Sequence, residues 1–161
     1  MATSIELKPL AQRQWETILQ DRIPEYAEEQ IKASRWSAEE ALPKATEEFE
    51  TLLPDGIRTA TNHVLGIIDS ASSETTGYLW YVEREKAGKP CIFICDLRVF
   101  KAYRRQGVAS SALRALEDLV QQKHGTVRIE LHVFGNNHAA RALYETISYE
   151  ETNVLMAKDI A

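Results

Sequence analysis

The feature that most restricts this chain is a change of period in its middle. Residues 91–100, "CIFICDLRVF", form an apolar run of strand length. The segment from Gly107 to His124 instead repeats its apolar residues every three or four positions, at Ala109, Ala112, Leu113, Leu116, Leu119 and Val120. Only "KAYRRQ" separates them. A strand feeding a helix through so short a turn belongs in a layered sheet, with the helix packed back on one face. The turn has its own chemistry. The first turn of a helix offers amide N–H groups without intrahelical partners at the positive end of the dipole, and Gly107 lets backbone approach closely beside Arg104 and Arg105. Such a turn suits a phosphate.

The remaining pattern places this unit. "SIELKPL" reads as a short strand. A helix is expected from Ala11 to about Ala33, with Trp15, Ile18, Leu19, Ile23, Tyr26 and Ile31 near one stripe and a bend at Pro24. Ser37 and Glu40 form a capping box for a second helix that closes at "LLPDG". "NHVLGII", "TGYLWYVE" and "CIFICDLRVF" are spaced as antiparallel hairpins across "DSASSE" and "REKAGKP". After the central helix come a strand, "TVRIELHVF", a short helix capped by Asn136 or Asn137, and a final strand, "EETNVLMAKDI". The expected fold class is α/β: a mixed, mostly antiparallel sheet with helices on both faces. The central helix joins strands that lie parallel or splay apart.

Composition excludes several functions. With 161 residues, 44% of them hydrophobic and 27% charged, one domain is expected, spanning residues 1–161. No apolar run approaches the roughly 20 residues that span a bilayer, and the N-terminus lacks a leader pattern, so the chain is read as cytoplasmic and without a membrane partner. A net charge of −5 argues against nucleic acid. The charge is uneven: from Met1 to Asp55 there are 12 acidic against 6 basic side chains, and from Asp96 to Arg128 there are 3 against 7. The acidic stretch favours a cationic small-molecule or peptide partner, set against the reading of both charge excesses as solvated helix faces. Cys91 and Cys95 lie four apart in one strand, roughly 13 Å along it, too far for a disulfide and too few for a metal framework, so no metal is expected.

Neither a P-loop nor a G-x-G-x-x-G turn occurs. "RRQGVA" instead resembles the R/Q-x-x-G-x-G/A motif of the GNAT superfamily of N-acetyltransferases, and the resemblance continues in register on both sides. "DLRVFKAYRRQGVA" has the family's strand end at Leu97 and Val99 and its Tyr-Arg at Tyr103 and Arg104. "LHVFGNNHAARALYETISY" is similar to the family's second block at Leu131, Val133, Asn137, Ala140 and Tyr144. The match is clear over residues 91–150.

The resemblance implies a GNAT-like fold that uses acetyl-coenzyme A as cosubstrate. The turn Arg104, Arg105, Gln106, Gly107, Val108, Ala109 and Ser110 would hold its pyrophosphate. The Leu97–Val99 backbone would pair with the pantetheine arm, and Asn137 would anchor that arm from across the cleft. Tyr144 would serve the departing thiolate as acid or hydrogen-bond donor. Asp96 is a candidate base, set against an aspartate paired with an arginine; Glu83 ends the preceding strand. Tyr26, Glu29, Trp36, Trp80 and Tyr81 are acceptor-side candidates by position. Cys95, His63 and His132 read as structural. The family's closing Gly-Phe is here Ser148 and Tyr149, so this turn must close without glycine. The expected activity is acetyl transfer to a primary amine by direct attack in a ternary complex, with a homodimer plausible from the resemblance. The alternatives are a non-catalytic acyl-coenzyme A sensor on the same fold and a protein- or tRNA-acetylating toxin.

Overall fold

The computed structural model describes residues 3–161. In chain order the elements are β1 (Ile5–Pro9), α1 (Gln12–Lys32), α2 (Ala41–Leu52), β2 (Asn62–Asp69), β3 (Thr75–Lys86), β4 (Lys89–Val99), α3 (Val108–His124), β5 (Arg128–Leu131) and α4 (His138–Thr146). The five strands form one sheet in sequence order. The first three pairings are antiparallel, and β4 with β5 is parallel. The expected α/β class, with its mixed and mostly antiparallel sheet, is what the chain adopts.

Strand alternation divides the core. Leu79 and Tyr81 of β3 join Ile92 and Ile94 of β4 under Leu113, Leu116 and Val120 of α3, with Leu143 and Tyr144 of α4 and Ile147 just after it packed alongside. Tyr78 and Trp80 point the other way, against Trp15 of α1 and Phe49 of α2. This face is an aromatic cluster in which Trp15 meets Tyr78 edge-on at 5.1 Å, a geometry the ring quadrupoles favour. At Gly77 the hairpin is so close that a Cβ would meet the Arg98 carbonyl oxygen at 2.2 Å.

Local signals are used largely as read. Ser37 Oγ accepts from Glu40 N–H at 3.3 Å while Glu40 Oε1 accepts from Ser37 N–H at 3.2 Å, so the reciprocal bonds form, but they close a turn ahead of α2, whose N-cap is Glu40 and not Ser37. Asn137, the second of the two asparagines considered, caps α4 by accepting from Ala140 N–H. Pro24 lies within α1 without ending it; packing of the helix on the sheet outweighs the roughly 3 kcal/mol a mid-helix proline costs.

Two expectations need correction. The strand expected over "TVRIELHVF" is confined to Arg128–Leu131, the length over which β4 offers a partner. The final strand over "EETNVLMAKDI" is not formed: residues 150–161 are neither helix nor strand, with Leu155 98% exposed and Val154, Met156 and Ile160 also exposed. A strand exists through its pairing. Here a groove of about 1010 Å³ separates Ile129–Leu131 of β5 from Glu150–Leu155, so the apolar pattern has no ladder to join.

Candidate active site

The site begins where the sheet opens. β5 pairs with β4 only along Cys91–Ile94, so the edge of β4 from Cys95 to Val99 has no strand on that side. At the start of that free edge the β3–β4 register slips: Trp80 faces Asp96, but Tyr81 faces Ile94, leaving Cys95 as an extra residue. Such a bulge re-aims the side chains that follow. Ile92 and Ile94 pack under α3; beyond the bulge it is the odd-numbered Leu97 and Val99 that do so. Asp96 is thereby turned to the α1 face.

The chain then passes through a short 3-10 turn, Lys101–Tyr103, and enters α3. Arg104 Nε donates to the Val99 carbonyl at 2.9 Å, tying the turn to the strand end and leaving its terminal N–H groups outward. Arg105 and Gly107 both take left-handed backbone, φ +61° and +77°. At Gly107, the N-cap, nothing lies within 4 Å of where a Cβ would stand. The first helical bond runs from Ser111 N–H to Gly107 O. The amides of Val108, Ala109 and Ser110 therefore lack intrahelical partners. Val108 is 2% exposed and packs with Ile67 and Ala112, which anchors the turn. Left-handed residues alternating with ordinary ones, followed by free helix amides, make a concavity for an anion. The residues present thus fit a diphosphate.

The arginine partner that the sequence suggests without naming is Arg22, and Asp96 lies on the free edge at the centre of a charged network. Its Oδ2 accepts from Arg22 Nε at 2.7 Å and from the Tyr78 hydroxyl at 2.5 Å, and its Oδ1 from Arg22 Nη2 at 3.4 Å. Arg22 also holds Glu29 with a two-pronged pair at 3.1 and 3.2 Å. Arg98 completes the cluster by pairing with Glu25 and Glu29. Burial, and then the Asp96 charge, push the Tyr78 phenol well above its ordinary value. Arg22 was missed although a signal existed: it falls on the apolar stripe of α1, seven residues after Trp15 and four before Tyr26.

Tyr144 projects from α4 into the α3-side core and meets Tyr149 edge-on at 5.7 Å. Burial first, then the negative charge of Asp96, raises its phenol to about 12, so the hydroxyl keeps its proton at neutral pH. Asn137 spends Oδ1 on the helix cap, which leaves its amide N–H₂ as the group able to face a ligand. Ser148, in the place of the glycine, adopts φ +71°.

The acceptor-side candidates separate. Trp80 and Tyr81 are each 3% exposed and lie in the two opposite core layers, so they do not line an acceptor site. Glu29 is committed to Arg22 and Arg98. Tyr26 and Trp36 remain half-buried, ring centroids 5.8 Å apart, with the Tyr26 hydroxyl donating to Glu48. Arg35 lies over the Phe134 ring at 6.0 Å, joining the α1–α2 connection to the β5–α4 loop; neither residue was expected. Among the described residues no cluster of metal-ligating side chains occurs, and no helix is long and apolar enough to cross a membrane.

A free strand edge that leads into unpartnered helix amides suits an extended anionic ligand, and comparison with known proteins gives the class. The model of the acetyltransferase (GNAT) family matches residues 15–149; the chain belongs to that family. It is 33% identical over 157 residues to the uncharacterized N-acetyltransferase YycN of Bacillus subtilis, covering 98% of this chain and 99% of that protein. It is also 28% identical to YdgE of the same organism, likewise an uncharacterized N-acetyltransferase, over 96% of this chain and 97% of that one. The crystal structure of YycN superposes with a TM-score of 0.90 at 31% identity, covering 98% and 99% of the two chains. An aminoglycoside acetyltransferase from a soil metagenomic sample, solved with sisomicin, shares the fold at a TM-score of 0.60 and 17% identity, covering 98% of this chain and 97% of that one.

Proposed function

We propose that this chain is an N-acetyltransferase that moves an acetyl group from acetyl-coenzyme A to a primary amine by direct attack in a ternary complex. One observation carries the reading: the free β4 edge from Cys95 to Val99 runs directly into the amide turn of α3. An extended, amide-bearing arm that ends in a diphosphate fits those two features in that order.

Bound there, acetyl-coenzyme A supplies the activated acyl group as a thioester. The Leu97–Val99 backbone aligns the arm, the Asn137 amide holds it from the α4 side, and residues Arg104–Ser110 take the diphosphate. The amine nitrogen forms a C–N bond to the acetyl carbon as the C–S bond breaks. The substrate ammonium first gives one proton to water so that the attacking amine is neutral; the Tyr144 hydroxyl gives its proton to the departing sulfur, and the second proton, shed by the new amide nitrogen, restores the phenol through water. The raised phenol value supports this role, because the proton is retained until charge develops on sulfur. Asp96, with both oxygens engaged, is assigned to charge balance under the site and not to proton removal. Cys95 is no acyl carrier in this scheme: burial pushes its thiol up to about 12, far from a thiolate at neutral pH.

For the acceptor we favour a cationic amine entering between the α1–α2 connection and the Phe134 loop, past Tyr26 and Trp36. The acidic excess of the first 55 residues supports this. Residues 1–161 act in this reading as one domain, and two unpaired cysteines accord with a reducing cytoplasm; a homodimer is compatible with the scheme. The test is to offer acetyl-coenzyme A with polyamines, amino acids, aminoglycosides and peptides, and to read free thiol. Turnover that falls with added salt for a cationic acceptor supports the reading. Tight coenzyme A binding with no turnover on any amine would favour the sensor, and absence of coenzyme A binding would remove both.

A further inference from the structure

The Gln106–Gly107 peptide is the pivot of the anion turn, flanked by left-handed Arg105 and Gly107. Its carbonyl is gripped from 103 residues away: Thr3 Oγ1 donates to Gln106 O at 2.6 Å. The position of Thr3 is itself fixed. Ser4 O accepts from Ser70 N–H at 3.0 Å, and Ile5 packs against the cluster of Ile67, Val108 and Ala112. The segment entering β1 is therefore stapled to the β2–β3 turn on one side and to the first turn of α3 on the other. We infer that Thr3 is a positioning residue for the diphosphate: by holding the Gln106 carbonyl toward β1, it aims the Gly107 N–H into the anion cradle.

The reasoning is geometric. A trans peptide is planar, and its C=O and N–H point in opposite directions. Fixing the carbonyl on the β1 side commits the Gly107 N–H to the opposite side, and with nothing within 4 Å of where a Gly107 Cβ would stand a ligand has room to come close to this peptide. Glycine tolerates either sign of φ, so the residue that lets the ligand approach also lets this peptide flip. Gln106 does not prevent the flip with its own side chain, which donates to the Ala102 carbonyl at 3.4 Å. A flipped peptide presents a carbonyl oxygen to the anion, and ligand affinity falls in proportion to the fraction of molecules so arranged.

This inference rests on the coenzyme A reading above and is tested so that the two can fail separately. Coenzyme A is titrated into wild type, Thr3→Val and Thr3→Ser by calorimetry. Pantetheine, which lacks the diphosphate, is titrated by NMR at millimolar concentration. Thr3→Val should raise the Kd for coenzyme A about 3- to 10-fold, the range of one neutral hydrogen bond. It should leave the pantetheine Kd unchanged and lower the melting temperature by no more than about 2–4 °C, the shift that loss of one hydrogen bond brings, and Thr3→Ser should restore wild-type affinity. A general folding role would weaken both ligands together or resist rescue by serine, and either result overturns the inference. So does equal coenzyme A affinity in Thr3→Val and wild type. If the wild type binds no coenzyme A at all, the proposed function falls and takes this inference with it.

Discussion

Arg22 and Asp96, 74 residues apart in sequence, form a 2.7 Å ion pair between α1 and β4 with side chains only 6% and 11% exposed. Asp96 lies within the free strand edge, next to its first residue, so α1 is fastened to the sheet at the point where the site opens. Arg22→Met would leave a shielded carboxylate without its cation. The expected loss is about 3–5 kcal/mol of unfolding free energy. Arg22→Lys should recover only part of it, because an ammonium cannot reproduce the guanidinium fork. Urea denaturation of Arg22→Met, Asp96→Asn and the double variant checks this: the double variant should lose less than the two single losses added together.

Tyr144→Phe keeps the ring that packs in the α3-side core and removes only the hydroxyl. Coenzyme A affinity should stay within a factor of about two, while kcat falls roughly 10²-fold, the scale of a lost general acid. The loss should shrink with an acyl donor whose leaving thiol is more acidic. Full activity in Tyr144→Phe would reduce the residue to packing.

At the anion turn, Gly107→Glu introduces both a Cβ at φ +77° and a negative charge where the ligand would approach. Coenzyme A binding should disappear by calorimetry from a protein whose circular dichroism is unchanged. Arg105 is exposed and makes its contribution through charge alone, so Arg105→Ala should weaken binding only several-fold, with a reduced dependence on salt.

All six tyrosines are shifted upward. Burial is the first cause for Tyr26, Tyr78, Tyr81, Tyr144 and Tyr149, and the hydrogen bond to Glu74 is for Tyr103. The unfolded chain titrates near pH 10. Between about pH 10 and 12 the unfolded state therefore binds fewer protons than the folded one, and stability falls as pH rises through that window, having been fully present below it. Absorbance at 295 nm should show little tyrosinate in native protein at pH 10 and a large step on adding denaturant. A native spectrum already half ionised at pH 10 would contradict the burial of these rings.

Ser148 occupies a left-handed conformation that costs a side-chain-bearing residue roughly 1–2 kcal/mol. Ser148→Gly should relieve it. The greater freedom of glycine in the unfolded chain offsets part of the gain, leaving a net stabilisation of about 0.5–1 kcal/mol by thermal or urea unfolding, with no change in coenzyme A affinity.

Much of this protein is written locally. The switch from strand period to helical period, the capping box at Ser37 and Glu40, the cap at Asn137 and the glycine before α3 each act within a few residues. Short-range sterics and hydrogen bonding therefore decide them wherever the chain folds. The glycine-capped entry to α3 was legible for the same reason. Pairing between distant segments was not. One extra residue at Cys95 reverses which face every later side chain of β4 occupies, and no local preference distinguishes a bulged strand from a regular one. That slip turns Asp96 toward Arg22. The same limit explains Trp80 and Tyr81, aromatic residues whose burial depends on what packs above each face. It also explains the tail after Tyr149, whose alternating apolar residues suit a strand but take no partner. A strand is completed by hydrogen bonds to a neighbour, so its existence is settled by the tertiary structure, while a turn or a cap is completed by its own sequence.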